Sequence, residues 1–158
     1  MPNWCSNVVQ LSKDGYDFTS MEKRIPTEGL YAQFLPAPEG LDDHQLTDWC
    51  YENWGVKWDT QNADAGVDGD RIQLCFDSPW SAPRQWLAYM VSIGFDVRGA
   101  FWEPGMAMGG VYTTLHDGAL VAPALEWTQD NLVERGSEMY EYLISYGLIS
   151  EDDEMIND

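Results

Sequence analysis

Basic residues are scarce. Eight Lys and Arg stand against 27 Asp and Glu, for a formal net charge of −19. Lys and Arg neutralise phosphate, so this balance argues against direct binding to nucleic acid or to an anionic membrane. Cysteine is scarce too: Cys5, Cys50 and Cys75 are odd in number, far apart, and form no Cys-x-x-Cys pair. A disulfide framework and a zinc site therefore lack support. All three lie among apolar residues, which predicts buried, reduced thiols and a reducing cytoplasm. No apolar run is long enough to cross a bilayer. Met1-Pro2-Asn3-Trp4 carries neither the basic segment nor the apolar stretch of a secretory signal. Only His44 and His116 could act as neutral-pH bases, and both sit in acidic turns where a surface role is expected. No Gly-x-Ser-x-Gly elbow, Walker loop or dinucleotide fingerprint occurs. Gly105-Met106-Ala107-Met108-Gly109-Gly110 lacks the spacing and the lysine of a phosphate loop. These absences leave no residue to name as catalytic, no cofactor and no metal.

What is present suits one folded domain. The chain has 158 residues, and 44% are apolar, too many for a disordered protein. Trp4 to Leu11 alternates as a strand, with Asn7, Val9 and Leu11 on one side and Ser6, Val8 and Gln10 on the other. A short helix is expected from Phe18 to Arg24, closed by Pro26. Phe34-Leu35-Pro36-Ala37-Pro38 cannot be regular, because its prolines fix two φ angles and remove two donors. A second helix is expected from Asp43 to Glu52, with Leu46, Trp49 and Cys50 on one face. Gln61 to Asp70, with three Asp and two Gly, reads as a loop or turn. Its order of oxygen ligands and glycines is not that of an EF-hand. Arg71 to Phe76 alternates as a strand. Ser81 is expected to cap a helix that carries Pro83 in its first turn, runs to Ile93 and stops at Gly94. Phe95 to Trp102 and Val111 to Leu115 read as two further strands, with a turn at His116-Asp117-Gly118. The result is an α+β sandwich, an antiparallel sheet with helices on one face.

The C-terminal part differs in charge. From Glu126 to Asp158 there are ten acids and one base, Arg135. On a helical wheel Leu125, Leu132, Met139, Leu143 and Tyr146 share one side, and Asp130, Glu134, Glu138 and Glu141 share nearly the opposite one. This predicts an acidic amphipathic helix, with a frayed tail from Glu151 to Glu154. Residues 118–158 would then form an acidic helical extension packed on a domain of residues 1–117.

Five blocks carry a family likeness: Met1-Pro2-Asn3-Trp4-Cys5-Ser6-Asn7, Phe34-Leu35-Pro36-Ala37-Pro38, Glu52-Asn53-Trp54-Gly55-Val56-Lys57-Trp58-Asp59, Phe76-Asp77-Ser78-Pro79-Trp80-Ser81-Ala82-Pro83 and Glu103-Pro104-Gly105-Met106. In this order the chain resembles the YubB-like ferredoxin-like family of bacteriophages and plasmids. The resemblance covers residues 1–117, implies a ferredoxin-like α/β sandwich of mobile-element origin, and brings no activity with it. Ferredoxin-like names a topology here, since iron–sulfur ligation needs clustered cysteines.

Two surfaces are candidates for function. Asp130, Glu134, Glu138 and Glu141 would form an acidic face for a host protein, such as a basic DNA-binding protein, with carboxylates standing in for phosphates. The expected setting is the host bacterial cytoplasm and the expected role a phage or plasmid accessory protein that engages or inhibits its target. The alternative uses Trp54, Lys57, Trp58, Asp59, Trp80 and Glu103, which three connections could bring together. Indole faces beside one Lys and two carboxylates suit a small planar ligand such as a nucleotide. Packing of the same tryptophans in the interior is the competing reading, and Asp59 with Glu103 as an acid–base pair is a third.

Overall fold

Alternation along the first strand sets the whole sheet. In β1 (Trp4–Ser12) Cys5, Asn7, Val9 and Leu11 are all buried, while Trp4, Ser6, Val8, Gln10 and Ser12 face the other way. The structure, a computed structural model, describes residues 2–116, 123–156 and 158. The chain continues through α1 (Thr19–Glu28), a 3₁₀ turn at Tyr31–Gln33, α2 (Asp43–Asn53), β2 (Asp64–Asp68) and β3 (Arg71–Pro79). It ends with α3 (Arg84–Ser92), β4 (Asp96–Glu103), β5 (Met108–Leu115), β6 (Ala124–Asp130) and α4 (Glu138–Ser145). The strands form one six-stranded sheet in the order β2-β3-β1-β4-β5-β6, with every neighbouring pair antiparallel. Among the described residues no helix is long and apolar enough to cross a membrane.

The first three helices cover one face. Ile25 of α1, Cys50 of α2 and Trp86, Leu87 and Met90 of α3 pack on Val9, Leu11, Ile72, Leu74, Val97 and Phe101. Burying each large apolar side chain contributes roughly 1.5–3 kcal/mol. The helices start and stop where local chemistry dictates. The Asp42 carboxylate accepts from the Gln45 N–H at 2.8 Å, and the Gln45 side chain accepts from the Asp42 N–H, a complete capping box for α2. Gly94 follows α3 at φ +100°, a conformation that costs glycine little.

The fourth helix lies on the opposite face, so the helices are not confined to one side as expected. Its Met139, Tyr140 and Leu143 bury against Ala100, Trp102, Ala107 and Val133, with Ile149 and Met155 closing the cluster. The helix predicted from Leu125 to Tyr146 is two elements. Leu125 and Trp127 alternate with Glu126 and Thr128 in β6, where Trp127 stacks on Tyr112 at 5.3 Å and on Phe101 at 5.2 Å. Positive φ at Leu132 (+63°) and Gly136 (+83°) then breaks the chain, and the Ser137 hydroxyl caps α4 by accepting from the Tyr140 N–H.

Other expectations also shift. Residues 61–70 are not only loop: Asp64–Asp68 is an edge strand paired with β3, with Ala65 and Val67 half-buried and packed against the core. Asp and Gly are poor strand formers, and pairing plus this packing overrides them. Pro26 lies inside α1, in its last turn, where it forfeits a single backbone bond while buried Ile25 anchors the turn. Ser81 caps nothing; its carbonyl accepts from the Ser78 hydroxyl at 2.6 Å, and α3 begins at Arg84, with Pro83 before it and no side-chain cap. Cys5 and Cys50 are buried as expected, whereas Cys75 is exposed, because it falls on the outward parity of β3. In the expected turn at His116-Asp117-Gly118, Asp117 and Gly118 lie outside the described residues, as does the expected boundary between residues 117 and 118.

Candidate functional site

Half of the six tryptophan-loop candidates serve the fold. Trp54 is buried, its indole N–H donates to the Leu35 carbonyl at 3.0 Å, and Tyr31 and Trp49 flank its ring at 5.4 and 5.3 Å. Asp59 is a backbone organiser. Its Oδ1 accepts from the N–H groups of Leu30, Tyr31 and Thr60 at 2.8, 2.9 and 2.7 Å, and its Oδ2 accepts from Ala32 at 2.9 Å. Three of those donors, Leu30, Tyr31 and Ala32, are the N–H groups that the start of the 3₁₀ turn leaves without backbone partners. Glu103 is 1% exposed and does the same for the β4–β5 turn, accepting from Gly105 at 2.7 Å and Met106 at 2.8 Å. Both carboxylates are thus taken up by backbone donors in two separate turns, which removes the motivation for an acid–base pair. Cys5 offers no nucleophile either: burial pushes its thiol up to about 12.

Lys57, Trp58 and Trp80 do reach the surface, and a residue outside the predicted set joins them. The Trp80 N–H donates to the Asn3 carbonyl at 2.8 Å, extending the β1–β3 pairing by one step beyond Trp4 opposite Pro79. This brings Trp4 and Trp80 to the same end of the sheet, 42% and 44% exposed. Trp58 meets Trp4 edge-on with ring centroids 6.3 Å apart, and the Lys57 Nζ lies 4.8 Å from the centre of the Trp80 ring. Trp80 holds φ +64°, a left-handed conformation that costs a bulky residue about 1–3 kcal/mol. Strand parity was the signal for Trp4, which shares the outward side of β1 with Ser6, Val8 and Gln10.

The acidic candidates divide differently. Between α4 and the strands beside it runs an open groove of about 950 Å³. The outward positions of β6 send Glu126, Thr128 and Asp130 into it, α4 sends Glu138, Tyr142 and Tyr146, and β4 sends Arg98. The Tyr142 hydroxyl donates to Glu138 Oε1 at 3.2 Å, a bond that raises the phenol above its ordinary value. Burial raises Tyr146 as well, opposed by the Arg98 guanidinium nearby. Glu134 and Glu141 are exposed but do not line the groove, so the four predicted acids do not form one helical face. Asp130 sits on a strand and Glu134 in the turn after it. Glu126, by contrast, faces the groove and was not among the predicted residues.

The one base of this segment is engaged elsewhere. Arg135 donates to Tyr140 Oη at 3.0 Å, to the Glu151 and Asp153 carbonyls at 2.9 and 2.7 Å, and to the Asp158 carboxylate. Among the described residues, Glu126, Asp130 and Glu138 take part in no ion pair. The exposed histidines pair with carboxylates, His44 with Asp48 and His116 with Asp96. No trio of His, Cys, Asp or Glu is arranged to hold a metal ion among the described residues. Comparison with protein-family models, curated proteins and solved structures finds no match to this chain.

Proposed function

We propose that this protein is a binding protein whose acidic groove accepts a Lys- or Arg-bearing segment of a partner protein. The observation that carries this reading is the convergence of Glu126, Asp130 and Glu138 on one groove with none of the three in an ion pair among the described residues. A groove that presents three carboxylates together suits a cationic segment better than scattered surface acids, because several charge-assisted bonds form at once. Tyr142 and Tyr146 add aromatic faces against which a guanidinium can lie. Arg98 on the groove floor favours partners that bring an acceptor between their cations, a source of selectivity.

The wider setting rests on the resemblance to the YubB-like family: an accessory protein of a phage or plasmid, acting in the bacterial cytoplasm on a host protein. A basic DNA-binding protein is the natural class, since its surface is already shaped for rows of negative charge. The ferredoxin-like reading of the core is supported by connectivity. Its first four strands run β-α-β-β-α-β, taking α1 and α2 together, in the order β2-β3-β1-β4. β5, β6 and α4 then extend that core and build the groove.

Affinity capture from bacterial lysate at low and high salt tests the function. The expected result is a basic protein retained at low salt and released at high salt. The variant Glu126→Gln/Asp130→Asn/Glu138→Gln should bind that protein roughly 3- to 150-fold more weakly, taking each exposed pair at about 0.2–1 kcal/mol. Capture that is absent, or equal at both salts, contradicts the proposal.

A further inference from the structure

We infer that the end of the sheet built by Trp4, Lys57, Trp58 and Trp80 is a separate site for a small planar anion, of which a nucleoside monophosphate is the type. Four observations converge on it. Two tryptophans, Trp4 and Trp80, remain more than two-fifths exposed, and Trp58 meets the first edge-on. Trp80 is held outward on a left-handed backbone that packing in the interior does not repay. The Lys57 ammonium sits over the Trp80 ring and has no carboxylate partner among the described residues, on a chain where 27 acids stand against 8 bases. Finally, the acids nearest in sequence to this end are engaged elsewhere: Asp59 accepts from the backbone around the 3₁₀ turn, and Asp77, three residues before Trp80, accepts from the Ser6 hydroxyl at 3.3 Å.

The chemistry selects the occupant. Every nucleobase has a π-face that stacks on an indole, and one ammonium at the rim of the stack meets one phosphate. A nucleic-acid strand brings a long row of phosphates toward a protein of charge −19, and a second copy of the chain brings another strongly acidic body. A small anion needs only the local field of Lys57. With both Trp4 and Trp80 open to solvent, binding should be weak, with a dissociation constant of about 0.1–1 mM for AMP.

The eight indole N–H signals of the labelled protein provide the readout. Titration with AMP should shift the signals of Trp4, Trp58 and Trp80 to saturation. Those of Trp54 and Trp86, whose N–H groups are bonded to the Leu35 and Tyr31 carbonyls, should stay in place. Adenosine should bind about tenfold more weakly for want of the charged contact, and Lys57→Met should reduce AMP to the level of adenosine. Trp80→Gly should abolish binding while keeping or raising the melting temperature, because glycine relieves the backbone conformation at that position. If Trp80→Gly fails to fold, Trp4→Leu must show the same loss of AMP binding. The inference is overturned by an absence of saturable shifts at about 10 mM AMP, by shifts that extend to Trp54 and Trp86, or by adenosine binding as well as AMP. It is equally overturned if a short single-stranded oligonucleotide binds more tightly than AMP, or if the patch proves to be a dimer contact that dilution releases.

Discussion

The two faces of the sheet are built from the same strands, yet only one is a finished core. Beneath α1, α2 and α3 the inward positions of β1, β3 and β4 are mostly apolar and shielded from water, with Asn7, Ser78 and Glu103 buried among them. On the reverse face a single eight-residue helix covers the ends of β4 and β5 with a small cluster, and polar residues continue the surface beyond it. The outward side of β1 carries Ser6 and Gln10, that of β3 Arg71 and Gln73, that of β6 Glu126, Thr128 and Asp130. The difference is instructive: the first face supplies stability and the second, half-covered, supplies the groove. A function placed on the first face would have to open the core, whereas the second needs no rearrangement to receive a partner.

The comparison breaks most sharply with a buried charge. An unpaired carboxylate in an apolar interior costs at least about 3–5 kcal/mol. Leu87→Asp, in α3, should therefore unfold the whole protein. Leu143→Asp, in α4, should release only the C-terminal cluster, leaving the amides of β1 and β3 protected from hydrogen exchange while those of α4 exchange freely. Equal, global loss of protection in both variants would show that the two faces fold as one unit. A smaller effect sharpens the same contrast: Ser137→Ala removes the cap of α4 and should cost about 0.5–2 kcal/mol, seen in α4 exchange before it is seen in β1.

The smallest effect concerns the C-terminal clasp. The hydrogen bond from Arg135 holds the Asp158 carboxyl down at about 2 from its ordinary 3.8. The folded value lies below the unfolded one, so this contact contributes above about pH 3.8 and is lost as the pH falls through about 2. The Met155 amide, which donates to Asp158 Oδ2, should keep its chemical shift down to about pH 3 and move only toward pH 2. An Arg135→Met variant should move at a pH nearer the ordinary carboxyl value.

The finished face was largely legible. Alternation marks β1 and β3, helical spacing marks α2 and α3, and Gly94 ends α3 as its chemistry predicts, whereas the Asp42 capping box of α2 went unread. The reverse face was not. Leu125, Leu132 and Met139 are spaced by seven and so fit a helix, while Leu125 and Trp127 equally fit a strand; pairing with β5 decides between them, and pairing is not local. β2 was hidden because Asp64-Ala65-Gly66-Val67-Asp68 has turn composition. Among the site residues, the sequence left open whether Trp58, Trp80 and Lys57 pack inside or face out; Trp80 is exposed and the other two are half-buried. Nothing in the sequence distinguishes a carboxylate such as Asp59 or Glu103, satisfied by backbone donors, from one awaiting a ligand. The groove was invisible for the same reason as β6: Glu126 and Glu138 meet only when strand and helix are placed.

The claim that the groove, and not bulk acidity, recognises a cationic partner is tested most directly by two variants of equal net charge. One neutralises Glu126, Asp130 and Glu138; the other neutralises Glu134, Glu141 and Asp152, which are exposed but do not line the groove. Titration of each with a labelled arginine-rich peptide at low salt should show binding lost in the first and retained in the second. Equal weakening of both would assign the attraction to net charge alone and contradict the account.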